Sequence, residues 1–246
     1  MKDLNKQSKT IFTSKSNVLK FLQNKIKYSN IEKIFDFTVG EWKSNNNLIL
    51  LKIQSNFSKQ KIIVRSSAMD EDTEYNSQAG SYESILNINS NSKKQLASAI
   101  TKVIKSYSLK NNNDNNNQIL VQTQTQNIIS SGVVFTRTID LGSPYYVINY
   151  EEGESTVGVT HGLVNKTIKI LKNSPSSKIP KKWKSLIKSV KELEYVIKND
   201  FLDIEFGITK SHKIIIFQAR PITSLKKLLT QNFDSKIFTA IRKNSK

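Results

Sequence analysis

Cysteine is absent from the 246-residue chain, which excludes disulfide scaffolds, Cys-ligated zinc, iron–sulfur clusters and thiol catalysis. Histidine is nearly so: His161 and His212 are the two in the sequence, too few for any site that needs three imidazoles. Long apolar runs are missing too. Stretches such as Ile214–Phe217 are strand-sized and fall far short of the ~20 residues of a membrane span. The opening residues are polar and hold no apolar signal core, so the expectation is a globular, cytoplasmic chain with no membrane span. Arginine is scarce in a basic chain. Against 20 Asp and Glu stand 38 basic residues, for a net charge of +18, yet only Arg65, Arg137, Arg220 and Arg242 are arginines. Recognition of phosphates and bases favours the bidentate guanidinium. A surface of scattered lysines therefore points to no specific nucleic-acid partner, and each arginine becomes a candidate for work that lysine cannot do.

The length allows one large domain or two small ones at ~150 residues each, and 37% apolar residues suffice for a core. Apolar spacing predicts helices over 17–28, 92–109 and 181–198, with Ser14 and Ser16 as plausible caps of the first. Strands are expected over 48–54, 61–64, 119–123, 132–136, 145–150, 201–208 and 213–219. Residues 70–81 are acidic and small, as loops are, and Asn111–Asn117 is an Asn-rich turn. Residues beyond Thr223 are basic and weakly patterned. The interleaving lacks strict βαβ regularity, so the expected class is α+β.

Three segments are polar where a structural strand would be apolar. In VRSSAMDED, from Val64 to Asp72, a buried-looking strand delivers Arg65, Ser66 and Ser67 ahead of a small-residue loop at Ala79-Gly80-Ser81. Arginine at a strand end beside hydroxyls and exposed amides makes a phosphate cradle. An ion pair of Arg65 with Asp70 or Glu71 accounts for the residues equally well. In VQTQTQNIISSGVVFTR, from Val121 to Arg137, alternation puts Gln122 and Gln124 on one face, where amides could read a nucleobase edge. More often such alternation is a solvated strand face.

The third segment, DIEFGITKSHKIIIFQARPIT from Asp203 to Thr223, is the most specific. Side chains alternate along a strand, so Asp203 and Glu205 share a face, as do Gln218 and Arg220. A symmetric hairpin would set Glu205 opposite Gln218 and Asp203 opposite Arg220, all on one side. A carboxylate beside an amide oxygen suits a hard ion such as Mg²⁺, and an adjacent arginine suits the phosphates that such an ion neutralises.

Together, VRSSA…ED…AGSYES, SGVVFTR and DIEFG…IIIFQARPIT resemble the nucleotide-binding domain shared by phosphoenolpyruvate synthase, pyruvate phosphate dikinase and rifampicin phosphotransferase. The resemblance runs from about residue 10 to 225. It implies an ATP-grasp fold of two subdomains clasping ATP, here 1–110 and 111–225, with 226–246 a basic tail or linker. By that resemblance Arg65 and Arg220 hold the polyphosphate, Glu205 and Gln218 ligate Mg²⁺, Asp203 stands behind them, and Gln124 and Thr125 lie at the hinge contacting adenine. Lys15 occupies the position of the lysine in the family's glycine-rich GGKG loop, but Ser14 and Ser16 stand where glycines would be. The opening KTIFTSKSNVLKFLQNKI is similar to L-glutamine kinases of capsular phosphoramidate biosynthesis in the same family. The implied activity is an ATP-dependent phosphotransferase that passes phosphate through a histidine on a separate swivelling domain, with L-glutamine as acceptor. Neither His161 nor His212 matches such a carrier, so the chain is expected to be the ATP half alone. The alternatives are a fragment of a phosphoenolpyruvate synthase-like or rifampicin phosphotransferase-like enzyme, or a non-catalytic ATP-sensing or polyanion-binding module.

Overall fold

A computed structural model describes residues 11–68, 72–73, 76–77, 83–109, 112–153 and 166–222. Two antiparallel sheets carry the architecture, each with helices on one face. The first contains β1 (Ile34–Thr38), β2 (Lys61–Ser67), β5 (Ser84–Asn89) and β6 (Gln118–Thr123), in the order β1-β6-β2-β5. The helices α2 (Val39–Ser44), α3 (Asn46–Asn56) and α4 (Lys93–Leu109) supply its core partners. Alternation sorts β2 and β6: Ile62, Val64, Ile119 and Val121 enter that core. Arg65, Ser67, Gln118, Leu120 and Gln122 therefore fall on the opposite face. A short pair, β3 (Asp72–Thr73) with β4 (Asn76–Ser77), lies in the segment expected to be loop. Most of that segment, including Asp70, Glu71 and Ala79–Ser81, lies outside the described residues.

The second sheet runs β11-β10-β7-β8-β9, with β7 (Ile128–Phe135), β8 (Tyr145–Glu152), β9 (Lys166–Leu171), β10 (Leu202–Thr209) and β11 (Ile214–Pro221). One helix, α5 (Lys184–Ile197), buries Leu186, Ile187, Val190, Leu193 and Ile197 against it. The N-terminal helix α1 (Lys15–Gln23) adds Val18 and Leu22 to the same core. Chain order and spatial grouping thus cross twice. The boundary expected at 110/111 precedes β6, yet β6 pairs with both β1 and β2 in the first sheet. Conversely α1, from the expected first subdomain, packs on the second.

One element differs in kind from its sequence expectation. The run over 48–54 is helical rather than extended: Asn45 caps α3 by accepting from the Leu48 amide at 3.0 Å. Ile49, Ile53 and the following Phe57 recur every fourth residue and are all buried. A short apolar run is ambiguous by periodicity alone, and here the cap and the core decide. The short strands β1, β5 and β9 carry no expectation, because polar residues interrupt their apolar pattern. Gly132, in the SGVVF segment, has a steric duty: a Cβ there would lie 2.0 Å from the Asn149 carbonyl oxygen, so β7 and β8 approach as closely as they do only without a side chain.

At the end of β7, Arg137 closes a part-buried ionic network. Its guanidinium meets the Asp200 carboxylate at 2.5 Å and donates to the Gly142 carbonyl at 3.0 Å. Lys172 bridges Asp200 and Glu194 at 3.4 and 2.6 Å, and the Tyr146 hydroxyl donates to Glu194 at 2.8 Å. Burial pushes the Glu194 carboxyl above the usual range despite Lys172. Asp200 feels burial too, but Lys172 and Arg137 outweigh it and hold its carboxyl below its ordinary value. Among the described residues, no helix is long and apolar enough to cross a membrane.

Candidate nucleotide site

The site lies where the two sheets face one another. In the β10–β11 hairpin Asp203 pairs with Arg220 and Glu205 with Gln218, the register expected from the sequence. That register survives because the bulge falls after Glu205, between it and Phe206. The Arg220 guanidinium donates twice to Asp203 Oδ2, from Nε at 2.8 Å and Nη2 at 2.7 Å. Both residues are nearly buried, so each fixes the other's rotamer.

Arg65 reaches into this hairpin from the first sheet. Its Nη2 lies 3.5 Å from Glu205 Oε2 and 3.5 Å from Gln218 Oε1, and Nη1 is 3.4 Å from the Phe217 carbonyl. These separations are long for charge-assisted bonds, which run nearer 2.7–2.9 Å. Buried Nε has no hydrogen-bond partner among the described residues. Buried polar groups are nearly always partnered, so this nitrogen stands out among the described residues.

At the start of α1, Lys15 sits between two anchored serines. Ser14 caps the helix, accepting from the Asn17 amide at 3.2 Å, and the hydroxyls of Ser14 and Ser16 each donate to Gln118 Oε1 at 2.6 Å. The Ser16 amide donates to Ser67 Oγ at 3.0 Å. Ser67 is two residues beyond Arg65 on the same face of β2, so Lys15 is tied to the sheet that carries Arg65.

The glutamines separate sharply. Gln124 spends its amide on β5, accepting from the Asn87 amide at 2.7 Å and donating to Asn87 Oδ1 at 2.9 Å. Thr125 donates to Glu32 at 2.9 Å. Gln122, by contrast, is 1% exposed, and its amide nitrogen and oxygen both lack partners among the described residues. The alternation in VQTQTQ could place Gln122 and Gln124 on one face but could not distinguish them; burial does. Of the two histidines, His161 lies outside the described residues. His212 is exposed, has φ 58° and donates its amide to the Thr209 carbonyl at 2.8 Å. It is a turn residue between β10 and β11.

Comparison with known proteins identifies the family and the fold. The sequence profile of the pyruvate phosphate dikinase AMP/ATP-binding domain matches residues 47–174, just over half of the chain. The chain belongs to that family. Among solved structures, the D-alanine–D-alanine ligase from Helicobacter pylori aligns with TM-score 0.51 at 12% identity, covering 93% of this chain and 60% of that one. VanG D-Ala:D-Ser ligase from Enterococcus faecalis aligns with TM-score 0.50 at 12% identity, covering 94% and 58% respectively. At such identity the likeness shows the fold alone, and the fold is ATP-grasp. The chain spans less than two thirds of either ligase. No curated protein sequence matches it.

The motif resemblance implies a divalent ion at Glu205 and Gln218, and the donors that the hairpin register brings together there are a carboxylate and an amide oxygen. Among the described residues no group of three His, Asp or Glu could hold a metal. Mg²⁺, however, typically takes one or two protein oxygens and completes its shell with water and substrate phosphates. Glu205 Oε2 and Gln218 Oε1 both face the Arg65 guanidinium at 3.5 Å. The two oxygens therefore already converge on positive charge.

Proposed function

We propose that this chain binds Mg·ATP between its two sheets as the nucleotide half of an ATP-dependent phosphotransferase. The observation that carries this reading is Arg65, which crosses from the first sheet to Glu205 and Gln218 of the second and whose buried Nε has no partner among the described residues. Arg65, Arg220 and Lys15 bind the polyphosphate, and Asp203 orients Arg220. Glu205 and Gln218 hold Mg²⁺, whose charge offsets that of the phosphates. Gln122 offers a donor and an acceptor to the nucleobase, the pairing that lets an amide read adenine. Gln124 and Thr125 act beside it by shaping the hinge at the end of β6. Isothermal titration calorimetry of ATP with and without Mg²⁺ tests this. ATP affinity should depend on Mg²⁺ and fall about tenfold in Glu205→Ala and in Gln218→Ala, as for one lost charged contact. Unchanged affinity in both variants at saturating Mg²⁺ removes the metal assignment.

The finer reading is a kinase of the L-glutamine type, in which the phosphoryl group moves to a histidine on a separate domain and then to the glutamine amide. It rests on the similarity of residues 9–26 to such kinases. The described histidine, His212, sits in a tight turn, an unsuitable place for a mobile carrier. Incubated with Mg·ATP and L-glutamine, the chain alone should form no glutamine phosphate, and a histidine-bearing domain supplied in trans should restore it. Glutamine phosphate formed by the isolated chain, and kept after replacing both histidines, would refute the relay.

A further inference from the structure

We propose that Gln118 is a positioning residue for nucleotide binding: through the hydroxyls of Ser14 and Ser16 it fixes the segment carrying Lys15 against the Arg65 face of the first sheet. This rests on the Mg·ATP reading above and adds a residue that no motif marks. Glycines in a phosphate-binding loop allow close backbone approach, but a serine there must place its hydroxyl somewhere. Here both hydroxyls converge on one carboxamide oxygen, Gln118 Oε1, at 2.6 Å each.

The proton arithmetic is consistent. A serine hydroxyl has one proton to donate. The Ser16 proton goes to Gln118, so in the 3.1 Å contact between Ser16 Oγ and Ser67 Oγ the proton comes from Ser67. Ser67 Oγ in turn accepts from the Ser16 amide at 3.0 Å. Gln118 stands directly opposite Ser67 in the β2–β6 register, so the bolt joins adjacent strands and the start of α1. The strand pair is itself held by Tyr107, whose hydroxyl accepts from the Ser67 amide at 2.9 Å and donates to the Gln118 carbonyl at 2.5 Å. The anchor is rigid, and Lys15 hangs from it between two fixed neighbours. Gln118 acts through Lys15 and needs no contact with the ligand.

The test compares Mg·ATP with AMP, which share base and ribose and differ in the polyphosphate that Lys15 addresses. In Gln118→Met, which keeps the side-chain length and removes the acceptor, Mg·ATP should bind about tenfold more weakly, on the scale of one or two lost hydrogen bonds. AMP affinity should stay within about twofold on the same scale. Lys15→Met should show the same selectivity, and combining it with Gln118→Met should add little, as for residues acting through one another. Equal weakening of ATP and AMP would reduce Gln118 to a structural residue, and unchanged ATP affinity would overturn the proposal outright. Should Gln118→Met not fold, the Ser14→Ala/Ser16→Ala double variant carries the same comparison with Gln118 intact. The unsubstituted chain separates the two claims: if it binds no ATP, the nucleotide reading itself fails.

Discussion

Arg65→Met should weaken Mg·ATP binding about a hundredfold, the loss of roughly two charge-assisted hydrogen bonds to phosphate. The fold should pay little for it. The three contacts of the guanidinium to described residues are 3.4–3.5 Å long, so the folded chain gains little from them. Methionine refills most of the apolar stem, and Glu205, with its side chain 18% exposed, stays in reach of solvent. Arg65→Lys should fall between, because it restores the charge without the fork. Calorimetry supplies the affinities and thermal melting the stability. Nucleotide affinity within threefold of the unsubstituted chain in Arg65→Met, at unchanged melting temperature, would remove Arg65 from the site; the threshold is roughly half a unit in log Kd.

Lys172→Met tests the part-buried ionic network beside the second sheet. Lys172 and Glu194 each have side chains 12% exposed, and the partner Asp200 is 44% exposed. Among the described residues, removing the lysine leaves the Glu194 side chain with the Tyr146 hydroxyl and the Asp200 side chain with Arg137. Breaking a buried pair on one side costs about 3 kcal/mol or more, which for a chain of this size lowers the melting temperature by roughly 10 °C. The pH dependence carries the sign. Glu194 is already raised by burial, so the folded state takes up its proton more readily than the unfolded state, and that term favours folding as pH falls. Asp200 is held low; its contribution is present above the ordinary carboxylate range and is lost as pH falls through its folded value. Loss of Lys172 raises both groups. The variant should therefore recover part of its deficit on going from neutral to mildly acidic pH, because burial already favours the protonated Glu194 and protonation removes its unpaired charge. An equal deficit at both pH values would mean that the lysine acts by packing alone.

The β10–β11 face is legible in the sequence itself. A hairpin obeys a two-residue period and one register, so Asp203, Glu205, Gln218 and Arg220 could be placed together by counting along the chain, and Arg65 stood out because arginine is rare here. Local periodicity likewise marked α4, α5 and most strands. Three things needed the tertiary structure. The segment over 48–54 turned helical because Asn45 capped it and the first core took its fourth-residue face. Gln122 and Gln124 alternate identically, and only the packing of β6 buried one amide with no partner among the described residues while β5 consumed the other. Gln118 sits in an ordinary strand, 102 residues from the Ser16 hydroxyl it receives. Periodicity reports the neighbours a residue has within its own element, and long-range hydrogen bonds and interfacial burial have no period.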